Sequence, residues 1–301
     1  AQNTSSTPRS TSPSKKEPIE EPAPKTVAEP FYQTSGERWA LVVGISTYED
    51  GRIPQIPNAA EDARAVRDYL VSTKGGGYKP DHVFLLTDYD ATSRKLQKYL
   101  GSELRKKVQK EDDLLIYFAC HGMAVPTPKA GSEDGLEKYL VPYDTVAEDV
   151  VVDGISMTAL DTQLDIIECN QIAMVLDTCF SGGARSISEG PATRNTTISS
   201  SFLKKMAKQK GTKHRTVITA SSASELAQDD PDTGHGIFTT YFLEALDQAE
   251  DMDGNGSITL YEVFRYLDRK VRVRSAEIGQ RQNPQWVGDP AYPFPVKEVK
   301  K

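Results

Sequence analysis

The chain has 301 residues, 38% of them hydrophobic and 26% charged, enough apolar material for one sizeable α/β core or for such a domain with a tail. Its 36 Lys and Arg against 43 Asp and Glu leave a formal net charge of -7, so the bulk charge offers a phosphate backbone no attraction and nucleic-acid binding is not expected. No run approaches the roughly 18 uninterrupted apolar residues of a membrane-spanning helix, and Cys120, Cys169 and Cys179 are too few and too oddly spaced for a disulfide framework or a paired zinc site.

Residues 1–37 are built from Ser, Thr, Pro, Lys and Glu, with almost no large apolar residue before Phe31-Tyr32, and are expected to form a disordered tail because they cannot bury enough surface to offset chain entropy. With Ala1 at its head, the chain reads as a cytoplasmic protein or as an exported one whose leader has been removed. From Trp39 the pattern changes. Trp39 to Ser46 reads as a buried strand, and Asn58 to Ser72 as a helix with apolar positions at Ala59, Ala63, Val66 and Leu70. His82 to Thr87 is a second strand, Thr92 to Val108 a helix, and Asp113 to Ala119 a third strand running into Cys120-His121-Gly122. Ile172 to Leu176 is a fourth strand, ending in Asp177-Thr178-Cys179-Phe180-Ser181-Gly182-Gly183.

From Ala184 to about Arg215 the sequence is Ser-, Thr- and Gly-rich and basic, too long for an ordinary connection, and reads as an exposed loop. Thr216 to Ala220 supplies a fifth strand, Phe238 to Leu246 and Glu262 to Val271 two helices, and Trp286 to Val296 a Pro-punctuated finish. Alternating strands and helices predict an α/β fold with a mostly parallel central sheet flanked by helices in three α/β/α layers.

His121 and Cys179 both sit just past the carboxyl ends of strands, where open α/β sheets place their ligand crevice. An imidazole beside a thiol takes its proton and later protonates a leaving amine. Gly122 and the Gly-rich turn after Cys179 would let backbone N–H groups, including that of Cys179, approach an oxyanion.

The strand ending in His121-Gly122, followed by one ending in Asp-Thr-Cys-Phe-Ser-Gly, resembles the caspase and metacaspase superfamily, most nearly its bacterial metacaspase-like members. Trp39 to Tyr48, Asn58-Ala-Ala-Glu-Asp62-Ala, Thr219-Ala-Ser-Ser222 and Gly236-Ile-Phe-Thr239 are similar to other segments of that family, and the resemblance runs from residue 38 to 296. It implies a caspase-like peptidase domain with a large-subunit-like part 38–183, a basic linker 184–214 and a small-subunit-like part 215–296. It also implies a cysteine endopeptidase with Cys179 as nucleophile and His121 as acid/base partner. Asp62 and Asp177 stand where metacaspase-like members hold a basic substrate side chain, so cleavage after Arg or Lys is expected, with Ser222 helping to line the pocket. Both carboxylates also suit plain helix-end or turn roles.

Arg185, Arg194, Lys204, Lys205, Lys208, Lys210 and Lys213 make the linker either a substrate of its own enzyme or a solvated basic connection. Ala119-Cys120 before the histidine departs from the family's usual small residues and resembles the related CHAT proteases. The family's activating-calcium cluster is matched only in part, by Asp134, Asp144 and Asp153, with Ser186 where a further carboxylate is expected.

Asp251, Asp253, Asn255, Ser257 and Glu262 follow the EF-hand loop pattern, which would hold Ca2+, although Thr259-Leu-Tyr-Glu262 is equally a capping box. No cofactor is required by the proposed chemistry. Protein or peptide substrates and a monomeric state are expected. The readings from other classes are a catalytically silent caspase-like scaffold and a calcium-responsive signalling module.

Overall fold

The structure is a computed structural model and describes residues 36–127, 135–178, 182–183, 200–208, 213–222, 225, 230, 232–233, 235–290, 292 and 294–299, with backbone alone at 182–183 and 200–202. The described residues all lie in one compact unit within 33–301. In chain order its elements are β1 (Arg38–Gly44), α1 (Ala59–Val71), β2 (Val83–Thr87), α2 (Ser93–Lys98), α3 (Leu104–Lys107), β3 (Asp113–Ala119), β4 (Gly122–Pro126), β5 (Leu136–Leu140), α4 (Val150–Asp153), β6 (Ile155–Ser156), α5 (Met157–Ile166), β7 (Gln171–Asp177) and β8 (Gly182–Gly183). They continue with α6 (Ser200–Met206), β9 (His214–Thr219), α7 (Ile237–Gln248), β10 (Ser257–Thr259), α8 (Leu260–Glu277), β11 (Gln285–Val287) and β12 (Pro295–Glu298).

The main sheet has the order β11-β9-β7-β3-β1-β2. Its pairings are parallel except for β11, which runs antiparallel to β9 at one edge. Every residue of β3 is buried, as expected of a central parallel strand covered on both faces, and this is why its sequence is a continuous apolar run. Alternate side chains feed two cores. Leu41, Val43, Ile116, Phe118, Met174 and Leu176 pack with Leu96 of α2, Leu104 of α3 and Leu160 and Leu164 of α5. Val42, Leu115, Tyr117 and Val175 pack on the other face with α1, α7 and α8. These are the three layers expected from the sequence.

Helix α1 lies directly on the end of β1. A Cβ at Gly44 would fall 2.2 Å from the carbonyl oxygen of Ala59 and 2.5 Å from Ala63 Cβ, so the absence of a side chain is what lets the first turn of α1 come down at the carboxyl edge of the sheet. A second sheet, β6-β5-β4-β8, starts immediately after His121, and β10 pairs antiparallel with β12.

Several elements differ from the sequence reading. The helix expected over Thr92 to Val108 is interrupted by a π turn at Tyr99–Glu103. The segment read as one exposed loop from Ala184 to Arg215 contains α6, whose Leu203 and Met206 are buried against the sheet, a spacing of three that brings both to one helix face. Lys213 is not a solvated linker residue. Its Nζ donates to the carbonyls of Leu164 (3.1 Å), Asp165 (3.0 Å) and Ile167 at the carboxyl end of α5, where a cation meets the negative end of the helix dipole. Arg185, Arg194 and Lys210 lie outside the described residues.

Candidate active site

Strands β3 and β7 are adjacent and parallel, and Ala119 is the register partner of Asp177. Past that pair, β3 continues through Cys120 into His121, while β7 continues through Thr178 towards Cys179, which lies outside the described residues together with Phe180 and Ser181. The chain is pinned again beyond the gap, where Gly182 and Gly183 of β8 pair with Met123 and Ala124 of β4. The segment holding Cys179 is thus flanked by two stretches that run beside the two stretches flanking His121.

His121 is fixed at four points. Its backbone N–H donates to Tyr48 Oη at 2.9 Å, its carbonyl accepts from Val141 N–H at 3.0 Å, and its ring stacks on Tyr48 with centroids 5.3 Å apart. Its Nε2 lies 2.8 Å from the carbonyl oxygen of Pro54. A carbonyl can only accept, so in the neutral ring Nε2 carries the hydrogen and Nδ1 keeps the free lone pair. Burial pushes the imidazole below its ordinary value, and the Pro54 carbonyl opposes this in part. The arrangement favours a neutral ring with Nδ1 able to accept a proton.

The neighbouring thiols are of another kind. Burial pushes both Cys120 and Cys169 up to about 12, and with little access to solvent they are inert packing residues.

Asp62 lies in the first turn of α1 and is 3% exposed. Its Oδ1 is 2.5 Å from Nδ1 of His235, and its Oδ2 accepts from Gly236 N–H at 3.3 Å. Asp177 Oδ2 accepts from Thr239 Oγ1 at 2.8 Å, and Thr239 in turn shares a 2.6 Å hydrogen bond with Tyr117. The Tyr117 phenol is held far above its ordinary value, first by burial and then by the charges of Asp177 and Asp62. One buried phenol therefore feels both carboxylates, which come from α1 and β7 to the same end of the sheet. Ser222 follows the last pairing of β7 with the β9 chain, Ala220 N–H to Leu176 O at 2.9 Å, and its own N–H faces Glu225 Oε2 at 3.4 Å. Gly122 opens β4 opposite Leu140.

Sequence reasoning missed four participants. Tyr48 and Pro54 support His121 through a phenol oxygen and a backbone carbonyl, and a carbonyl leaves no signature in a sequence. Thr239 carries Asp177, and His235 is bonded to Asp62.

The Asp251–Glu262 loop brings carboxylate oxygens of Asp251, Asp253 and Glu262 within 4.8 Å of one another. Gly256, at the sixth position, has φ +90°, as the tight turn of such a loop requires. The loop also bonds to itself. Asp251 accepts from the N–H groups of Asn255 and Gly256, and Asn255 Oδ1 accepts from Ser257 N–H. Glu262 accepts from Met252 N–H at 2.6 Å and closes a capping box with Thr259. Ser257 lies in β10, paired with Glu298. Of the other carboxylates considered for calcium, Asp144 accepts from Ser93 N–H at the start of α2 and Asp153 from Val146 N–H, while Asp134 and Ser186 are outside the described residues. Among the described residues, no helix is long and apolar enough to cross a membrane.

Two curated metacaspases are similar to part of the chain. Metacaspase-1 of Yarrowia lipolytica is 27% identical over 159 residues, 51% of this chain and 33% of that protein. Metacaspase-1 of Pyricularia oryzae is 25% identical over 172 residues, 54% of this chain and 41% of that protein. The matches thus span well under half the length of these relatives. In fold, the chain is similar to caspase-1 of Spodoptera frugiperda, with TM-score 0.59, 13% identity, and 95% and 98% of the two chains covered. A Geobacter sulfurreducens protein of solved structure matches with TM-score 0.59 and 15% identity over 88% of this chain and all of that one. The model of the caspase domain matches residues 37–294, and with most of its length and its three-layer architecture accounted for, this chain belongs to the caspase-domain family.

Proposed function

We propose that the protein is a cysteine endopeptidase that cleaves after Arg or Lys, with Cys179 as nucleophile and His121 as acid and base. The observation that carries this reading is the pairing of β7 and β8 beside β3 and β4, with Cys179 two residues beyond Asp177 and His121 two residues beyond its partner Ala119. Strands in a sheet are about 4.8 Å apart, so residues equally far past a register pair are candidates for direct proton transfer.

In the proposed reaction His121 Nδ1 takes the Cys179 proton, and the thiolate attacks the scissile carbonyl. Backbone N–H groups at Gly122 and Cys179 hold the oxyanion. The imidazolium then gives its proton to the leaving amine, and water, deprotonated by the same nitrogen, releases the acyl-enzyme. Asp62 and Asp177 attract the cationic side chain, an attraction that an aspartate substrate would meet as repulsion.

Self-processing within 184–214 belongs to the same reading. Lys213 is occupied as the cap of α5 and Lys204 and Lys205 lie in a helix, whereas a peptidase takes an extended chain, so Arg185, Arg194, Lys208 and Lys210 are the proposed positions. A second reading, favoured by the convergence of Asp251, Asp253 and Glu262, is that their loop holds Ca2+ and fixes the start of α8. Melting curves with calcium and with chelator test it.

The test of the main reading is fluorophore release from matched peptides ending in Arg, Lys or Asp, by the full chain and by Cys179→Ala. Cleavage after Arg or Lys that vanishes in the variant is expected. Cleavage after Asp would remove the roles given to Asp62 and Asp177, and inactivity towards all three would favour a catalytically silent scaffold.

A further inference from the structure

We propose that His235 is a specificity-determining residue, because its protonation sets the charge that the Asp62 and Asp177 pair presents to a substrate. The proposal rests on the reading of that pair as the site for a basic side chain.

Asp62 is buried and in direct contact with the imidazole of His235, at 2.5 Å. The His235 side chain is 32% exposed, so it is open to solvent while covering a carboxylate that is not. A neutral imidazole donating through Nδ1 leaves the pair with one negative charge. Adding a proton at Nε2 makes the pair neutral without breaking its hydrogen bond. A cationic substrate group then meets an imidazolium beside Asp62 and one net negative charge fewer.

Among the described residues, the elements that carry Asp62, Asp177 and His235 bring further charged and polar groups. From α1, Glu61 is paired with Arg64. From β7 and β3 come Asp177 and the Tyr117 phenol, and from α7 the neutral Thr239 joins them. In the loop itself Asp230 N–H donates to the His235 carbonyl at 2.9 Å, and Asp230 and Asp232 are both held by Arg274 of α8. Those two acids share one guanidinium, which does not titrate, and they anchor the loop that carries the histidine.

The sign follows from linkage. A substrate cation disfavours the protonated form of His235, so it binds best when that form is absent, and preference for a cation rises with pH as the imidazole gives up its added proton. A neutral substrate of the same shape feels no such change.

The experiment measures kcat/KM for two peptides identical except for a final arginine or its uncharged isostere citrulline, from pH 5 to 8. The ratio cancels the titrations of Cys179 and His121, which both substrates share. The arginine-to-citrulline ratio is expected to rise roughly tenfold across this range, one unit of coupling, and to be flat in His235→Gln, which can still donate to Asp62. A flat ratio with arginine preferred, or the same rise in His235→Gln, would overturn the proposal and leave basic specificity standing. A ratio near one at every pH would remove both. Should His235→Gln fail to fold, histidine NMR titration of Cys179→Ala with and without the arginine peptide decides: a His235 midpoint that falls when the peptide binds supports the proposal, and one that does not move overturns it.

Discussion

Tyr48 serves His121 twice, through its ring face and through the hydroxyl that accepts the His121 backbone N–H. Tyr48→Phe keeps the stacking and removes one hydrogen bond, a change of about 1 kcal/mol. It is expected to lower kcat roughly three- to tenfold with KM unchanged, whereas Tyr48→Leu loses more. The pH profile adds a second readout. Burial holds His121 below 6.5, so the acidic limb of kcat/KM should lie below that value and move back towards it in Tyr48→Leu. A wild-type limb above 6.5 would contradict the buried, neutral ring. The same shift has a sign for stability. The unfolded chain takes up the His121 proton first, so the contribution is intact above about 6.5 and is lost as pH falls to the folded value. At this scale the position of His121 was legible, because it stands just past an apolar strand that the structure also shows. The contact of Asp62 with His235 was not, since 173 residues separate them and no local pattern joins them.

Among elements, the legible ones carry a single strong period. Strands β1, β3 and β7 read as apolar runs because both of their faces are covered, and α1 shows its stripe of Ala59, Ala63, Val66 and Leu70. What stayed hidden included β4, β5 and β6, short strands whose residues mix burial and exposure, the helices α4 and α5 that follow in the same unread stretch, and α6, embedded in a polar stretch. The Asp251–Glu262 loop was legible as an ambiguity, and the structure keeps both sides of it, since the carboxylates converge while Glu262 also caps α8. If the loop takes calcium, an excess of about a hundredfold over Kd stabilises the fold by roughly 2.7 kcal/mol. The expected result is a melting temperature several degrees higher in calcium than in chelator, and no difference in Asp251→Ala. Equal melting in wild type would make the loop a capped turn and nothing more.

For the whole molecule, the connection between β7 and β9 crosses the segment proposed to be cut, yet the two strands are joined by much else. They pair in parallel from Gln171 opposite His214 to Leu176 opposite Thr219. The Arg215 guanidinium, itself buried, bonds Asp161 at 2.6 Å and Asp165 at 2.5 Å on α5, and removing one partner of such a buried pair costs about 3–5 kcal/mol. Insertion of a foreign protease site at Gly190 and cleavage there should give two polypeptides that co-elute in size exclusion and separate only in denaturant. Separation under native conditions would show that the peptide bond itself holds the halves together.

Lys213 carries this furthest. Because its ammonium sits on the carbonyls that end α5, the stretch entering β9 is clamped to the amino-terminal half of the fold from its first residues. A break upstream of it is expected to leave the following strand seated, so that both sides of the cut would stay within one fold.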